Sequence, residues 1–288
     1  MTPALLRRLP LPEADGVYGK EARGTVLVVG GSQQIPGAVI LAATSALRAG
    51  AGKLQIATAR SVAPAVAVTV PEACVVGLRQ GPRGELAPGA YRLLHSRLAA
   101  CNALLVGPGM MDGSAGVELV RRCVRLNAGP TLIVDAAPLA AFAGHRRLGG
   151  TNAPGIVLTP HAGEMAALWG IDKEAVLAAP LAIAREAAAR LGAVVVLKGA
   201  CTYVAAPDGV AFHNTAGNDG LGTSGSGDTL CGIIAGLCAR GADPLRASVW
   251  GVYLHACAGD VLARRSGRDG LLARDLSAEV PALLARFA

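Results

Sequence analysis

Aromatic residues are scarce in this chain. Two Trp, four Tyr and three Phe make up 3% of its 288 residues, so Ala, Val and Leu must fill any core. Charged residues are also few, 16% against 52% hydrophobic, which excludes intrinsic disorder. No apolar run reaches the ~20 residues that cross a bilayer. The N-terminal MTPALLRRLPLPEADG places Pro and acids where a signal peptide needs an apolar stretch. The seven cysteines include no CxxC pair, and no Cys/His cluster has zinc spacing. An odd, scattered set of thiols fits a reducing compartment. Together these absences predict a soluble, cytoplasmic protein. No Lys/Arg run is interleaved with aromatics, which argues against nucleic acid as a partner. The net charge of +7 then fits either plain solubility or a phosphate-bearing partner.

Glycine is abundant, with 38 residues beside 17 prolines and no fixed period, which implies many tight turns rather than a collagen-like rod. Residues 1–23 read as a polar lead-in of little periodicity. Thr25–Val29 is a β-branched run halted by Gly30-Gly31-Ser32. Residues 37–49 predict a helix stopped by Gly50, and 53–57 the next strand, which together make a βαβ unit. The pattern recurs. Ala103–Val106 ends in Gly107-Pro108-Gly109, and Ser114 can cap a helix running to about Leu126. Thr131–Val134 ends in Asp135. Ile156–Leu158 ends in Thr159-Pro160-His161, before a helix to Trp169. Residues 173–191 are helical with a break near Pro180, and Val194–Leu197 is a strand ending in Lys198-Gly199. Residues 202–206 and 210–213 flank the turn Pro207-Asp208-Gly209, a hairpin signal. Helices are expected over 227–240, 243–266 and 276–287. Alternating strands and helices predict an α/β fold, a mostly parallel sheet with helices on both faces, in one domain.

Ligands of such sheets bind beyond the carboxyl ends of the strands, so the strand-end motifs are the candidate chemistry. The densest is NTAGNDGLGTSGSGDTL over 214–230, with five glycines between Gly217 and Gly227. The N–H groups of Gly225, Ser226 and Gly227 open onto the start of an apolar helix, where free donors and the helix dipole favour an anion. Asp228 in the first turn is either an ordinary helix-start acid or a general base beside a phosphate cradle. The density of glycine before it favours the base. There is no GxxxxGK[ST] loop, Gly30-Gly31-Ser32 is not GxGxxG, and no GxSxG nucleophile elbow follows a strand. Lys198 is either a cation snorkelling from a strand end or a nucleotide-facing group. His161 stands at the ligand-facing edge. Asp135 is a ligand contact or a partner for a bound cation, and Gly107-Pro108-Gly109 is a plain turn or a close approach to substrate. His95, His145, His213 and His255 have no paired context and read as structural.

The run Gly225-Ser226-Gly227-Asp228-Thr229-Leu230 resembles the anion-hole signature of the ribokinase-like superfamily. Before it, in order, stand Gly30-Gly31-Ser32 with Gly37-Ala38, Leu47-Arg48-Ala49-Gly50-Ala51-Gly52, Val106-Gly107-Pro108-Gly109, Thr159-Pro160-His161-Ala162-Gly163-Glu164 and Leu197-Lys198-Gly199. The ordered set, from about residue 20 to 285, resembles the ADP-dependent NAD(P)H-hydrate dehydratase family. The resemblance implies a ribokinase-like domain over 1–288, residues 1–23 being its lead-in. It implies repair of NADHX and NADPHX, nicotinamide cofactors whose ring has taken up water. The S hydrate is dehydrated with ADP as co-substrate, giving AMP and phosphate, with Mg²⁺ required and its ligands unassigned. Asp228 is then the catalytic base. Ala38, Gly109, His161 and Asp228 match the hydrate-binding positions; Lys198, Gly199, Ala200, Cys201, Thr202 and Gly227 match the AMP-binding ones; Gly225, Ser226 and Gly227 form the anion hole. A homotetramer is implied, and a separate epimerase as a partner, because relatives can carry an N-terminal epimerase domain that is not expected before residue 20 here. Two departures stand out: Gly222 where Ala is usual, and Ala137 after Asp135 where some members carry another acid. The second loosens any assignment of metal ligation there.

Two competing readings share the glycine loop. One is a small-molecule kinase of the same superfamily, acting on a vitamin precursor such as hydroxyethylthiazole. The other is a non-catalytic nucleotide sensor, which would have no need of Asp228.

Overall fold

Val-, Leu- and Ile-rich runs become strands buried on both faces, as a parallel sheet covered by helices requires. The computed structural model describes residues 1–12, 19–111, 114–125, 129–144 and 155–287. Its strands are β1 (Thr25–Val29), β2 (Lys53–Ala59), β3 (Ala73–Leu78), β4 (Ala103–Val106), β5 (Thr131–Val134), β6 (Ile156–Leu158), β7 (Val194–Leu197), β8 (Thr202–Ala205) and β9 (Ala211–Asn214). They form one sheet in the order β3-β2-β1-β4-β5-β6-β7-β8-β9. The first seven in that order pair in parallel, and β8 and β9 add an antiparallel edge. The expected turn closes that edge: Val210 N–H donates to Asp208 Oδ1 (3.0 Å) and Gly209 takes a positive φ of 89°.

The helices are α1 (Pro3–Arg8), α2 (Gly37–Arg48), α3 (Ala63–Thr69), α4 (His95–Ala100), α5 (Ser114–Arg125), α6 (Ala162–Trp169), α7 (Lys173–Ala178), α8 (Pro180–Leu191), α9 (Ser226–Ala239), α10 (Pro244–Ser266) and α11 (Ala273–Leu284). Alternate strand residues separate two cores. Val26 and Val28 point into the layer of α2, α9, α10 and α11, whereas Leu27 and Val29 point into that of α5, α6 and α8. Aliphatic residues supply nearly all of both, as the scarcity of aromatics requires. On the first face α2 and α9 pack closely, because Gly232 and Gly236 lie against the backbone carbonyls of Ala42 and Ala46, with no room for a Cβ.

Three features depart from the sequence reading. The lead-in contains α1, whose Leu6 is fully buried, and Trp250 Nε1 donates to the Leu9 carbonyl (2.6 Å). The stretch between β2 and β4, which carried no expectation, holds α3, β3 and α4. The helix expected after Ser114 starts at Ser114 itself; Leu126 and His145 lie outside the described residues. Among the described residues no helix is long and apolar enough to cross a membrane.

Chain order reverses across β1, which pairs with β2 on one side and β4 on the other. A reversal of this kind opens a crevice at the carboxyl ends of the strands.

Candidate active site

The loops after β1 and β4 meet at that crevice. Gly31 N–H donates to the Pro108 carbonyl (2.7 Å), and Gly107 N–H to that of Val29 (3.1 Å). Gly109, at φ 66°, lies against Ala38 Cβ and the Ile35 carbonyl, so a side chain there would collide with both. Ala38 and Gly109, drawn from the resemblance, are therefore neighbours, and only small residues fit where the two loops cross.

A cluster of charges lies beyond β5, β6 and β7. Lys198 follows β7, and its side chain is only 18% exposed. Its ammonium bonds Asp135 Oδ1 at 2.8 Å and lies 3.8 Å from Glu164 Oε2. Asp135, with 6% of its side chain exposed, also accepts from Thr159 Oγ1 (2.7 Å). The backbone joins these groups too: Lys198 N–H donates to the Pro160 carbonyl (2.8 Å), and His161 and Lys198 form a parallel bridge. The residue after Asp135, Ala136, has a left-handed φ of 56°, the one positive φ outside glycine among the described residues. Strain of this kind, at a strand end facing a site, costs about 1–3 kcal/mol and needs the surroundings to hold it.

Asp228 faces this cluster from the first turn of α9. Burial pushes its carboxyl up to about 7; the Asp135 carboxylate adds to the rise, Lys198 opposes it and Glu164 adds a smaller push. A carboxylate poised near neutrality and within electrostatic reach of a cation is suited to general-base work. Lys198 is held above its ordinary value: burial opposes its charge, and Asp135 and Glu164 more than offset that. Its Nζ lies 3.4 Å from where a Cβ on Gly227 would stand, so the ammonium sits directly against the glycine loop.

The loop itself is arranged for an anion. Gly225 takes φ 87° as the residue before α9, and the N–H groups of Gly225, Gly227 and Asp228 have no partner among the described residues. The Ser226 N–H is committed to the Thr223 carbonyl (3.2 Å), so the free donors flank Ser226. His161 serves two ends at once. Its Nδ1 accepts from the N–H groups of Gly163 and Glu164 (3.0 and 3.1 Å), and Glu164 returns a bond to His161 N–H (2.8 Å), a reciprocal cap on α6. The side chain is 59% exposed, and its Nε2, which the cap does not use, lies 3.6 Å from Glu164 Oε1.

Among the remaining expected nucleotide contacts, Gly199 and Ala200 are exposed in the β7–β8 turn, Cys201 is half-buried, and Thr202 Oγ1 donates to the Gly199 carbonyl (3.4 Å). They line the turn that carries Lys198. Sequence reasoning gave Glu164 and Thr159 no individual role, although both lie in the TPHAGE motif, and it read His255 as structural. Among the described residues no group of three or more His, Cys, Asp and Glu side chains is placed to hold a metal ion. Asp135 is already engaged by Lys198 and Thr159, so these residues do not form a magnesium cage.

An α/β sheet with a crevice at its switch point, and an acid and a cation facing an open helix N-terminus, define a ribokinase-like protein. Within that class the chain belongs to the NAD(P)H-hydrate dehydratase family, whose family model matches residues 26–282. An ADP-dependent (S)-NAD(P)H-hydrate dehydratase of Xanthomonas campestris is 51% identical over 287 residues, covering 100% of this chain and 96% of that protein. A bifunctional NAD(P)H-hydrate repair enzyme of Moorella thermoacetica is 42% identical over 96% of this chain, which spans only 52% of that longer protein. The crystal structure of ADP/ATP-dependent NAD(P)H-hydrate dehydratase from Bacillus subtilis, co-crystallised with ATP/Mg²⁺, superposes with a TM-score of 0.83 at 31% identity, covering 100% and 98% of the two chains. Hydroxyethylthiazole kinase from Pyrococcus horikoshii has a TM-score of 0.57 at 15% identity, covering 98% and 92%, and shares the fold alone.

Proposed function

We propose that the protein, as one domain over 1–288, is an ADP-dependent (S)-NAD(P)H-hydrate dehydratase that returns NADHX and NADPHX to NADH and NADPH. The observation that carries this reading is Asp228, held near neutrality in the first turn of α9 against Lys198 and the free loop N–H groups. Hydroxide is a poor leaving group and phosphate a much better one. Asp228 takes the proton of the hydrate's ring hydroxyl as its oxygen attacks the β-phosphate of ADP, and AMP leaves. The N–H groups at Gly225 and Gly227, with the Lys198 ammonium, stabilise the charge that develops on the transferring phosphoryl group. The phosphorylated hydrate then loses phosphate and a ring proton, and the dihydronicotinamide double bond re-forms.

Ala38, Gly109 and the outward edge of His161 would hold the hydrate in the crevice. Lys198, Gly199, Ala200, Cys201, Thr202 and Gly227 would hold the nucleotide, with Gly225, Ser226 and Gly227 at the transferred phosphate. Mg²⁺ is proposed to arrive with the nucleotide, because Mg²⁺ commonly takes phosphate oxygens and water with few protein ligands; no step is routed through it. A cytoplasmic setting suits seven free cysteines. A homotetramer and a separate epimerase acting on the R hydrate complete the proposal.

Product analysis tests the reading against the kinase. AMP, free phosphate and reduced nicotinamide in equal amounts are expected; a stable phosphorylated alcohol would support the kinase instead.

A further inference from the structure

A long glycine-rich loop has no intrinsic preference for one conformation, and ordering it costs more backbone entropy than ordering any other sequence. Between 217 and 226 the loop's own backbone bonds are few: Leu221 to Asn218, Gly222 to Asp219 and Ser226 to Thr223. Its fixed points come from α10. At the carboxyl end Ser226 Oγ lies 2.9 Å from His255 Nε2, and both side chains are buried. At the amino end Asp260 accepts from Gly217 N–H (3.0 Å) and Asn218 Nδ2 (3.1 Å), and Asn218 Oδ1 accepts from Gly220 N–H (3.1 Å). Between them Leu221 packs on Gly259, where a Cβ would come within 2.7 Å of Leu221 Cδ2. His255 and Asp260 are five residues apart on one helix, about 7.5 Å along its axis. Both ends of the loop are therefore referenced to a single rigid element.

We propose that His255 and Asp260 are positioning residues that hold the glycine loop in register with Asp228, so that its free N–H groups meet the transferred phosphoryl group; this rests on the dehydratase reading of the loop. The imidazole suits the task. Burial, with Lys198 adding a smaller push, lowers its pKa to about 4, so it stays neutral and hydrogen-bonds Ser226 without placing a second cation beside Lys198. If the contact only stabilised the core, its loss would lower the melting temperature and leave turnover by the folded protein unchanged.

The test compares wild type with His255→Leu, His255→Gln, Ser226→Ala, Asp260→Ala and the double variant His255→Leu/Ser226→Ala, with Arg190→Ala as a surface control. Calorimetry gives ADP affinity, and turnover with the S hydrate gives kcat and KM separately, both well below each melting temperature. His255→Leu and Asp260→Ala are expected to lower kcat by about ten- to a hundredfold, as small misplacements of reacting groups do, and to weaken ADP binding, with KM for the hydrate changing less. His255→Gln, whose amide reaches the Nε2 position, is expected to recover most of the loss. The double variant is expected to match the worse single one, because both act through one bond. Wild-type kcat and ADP affinity in His255→Leu, or losses fully additive with Ser226→Ala, would overturn the proposal. If His255→Leu does not fold, His255→Gln against His255→Asn decides it: equal losses in both count against positioning. Wild-type turnover tests the parent reading separately, and ADP affinity still reports on the loop if that reading fails.

Discussion

In the proposed reading Asp228 carries the chemistry, and its environment makes its behaviour measurable. Replacing it with Asn keeps size and hydrogen bonding but removes the base, so single-turnover rates are expected to fall by about 10²–10⁴-fold. A helix-start acid without a chemical role would instead cost about 1 kcal/mol and leave turnover near normal. The same group predicts a pH signature. Unfolded, an Asp titrates near ~3.9; folded, burial beside Asp135 raises Asp228 to about 7. Between those values the native state binds the extra proton. The stabilising contribution is therefore complete below the unfolded value and is lost as pH rises through about 7. Asp228→Asn should melt higher relative to wild type at pH 8 than at pH 5; an equal difference at both would contradict the assigned environment. In wild type, kcat/KM should rise with pH through the same region as the base deprotonates. Lys198→Ala should weaken ADP binding by about tenfold or more, the cost of a lost charge-assisted contact. It should also move the rate profile to higher pH, because the cation that restrains the rise at Asp228 is gone. Unchanged ADP affinity by calorimetry would remove Lys198 from the nucleotide site.

Helices α2 and α9 set where the loop and Asp228 stand. Their close approach depends on Gly232 and Gly236 against the α2 backbone. Gly236→Ala has no space and should destabilise the protein by about 1–3 kcal/mol, read as a lower midpoint in denaturant with an unchanged slope. A stability equal to wild type would mean the helices are less closely packed than described. The elements around this pair were legible in the sequence because their signals are local. Short apolar runs, halted by glycine after β1 and β4 and by Lys198-Gly199 after β7, marked those strands, and an apolar stretch behind five glycines marked α9. The stretch from 58 to 102 was not legible for the same reason. The seven residues of α3, APAVAVT, are Val- and Ala-rich with no polar face, and α1 and α4 are six residues each, too short to show a period. Within the site, Asp228, Lys198, His161 and Gly109 were visible as strand-end or helix-start residues. The bonds that organise them were not: Lys198 to Asp135 spans 63 residues and Ser226 to His255 spans 29, separations that only the sheet order brings together.

At the scale of the whole molecule, the reversal of chain order at β1 gathers the loops after β1, β4, β5, β6 and β7 on one edge, opposite the start of α9. The small-residue crossing at Ala38 and Gly109 and the charged cluster around Lys198 share that edge, the adjoining places where the proposed function puts the hydrate and the nucleoside diphosphate. In the proposed function, ADP drives dehydration there. The direct measurement follows dihydronicotinamide absorbance on adding the purified protein to the S hydrate with ADP and Mg²⁺, with AMP quantified in parallel. Recovery of the absorbance with one AMP per reduced nicotinamide is the predicted result. Folded protein that leaves the absorbance unchanged, or restores it without forming AMP, would contradict ADP-driven dehydration by this protein.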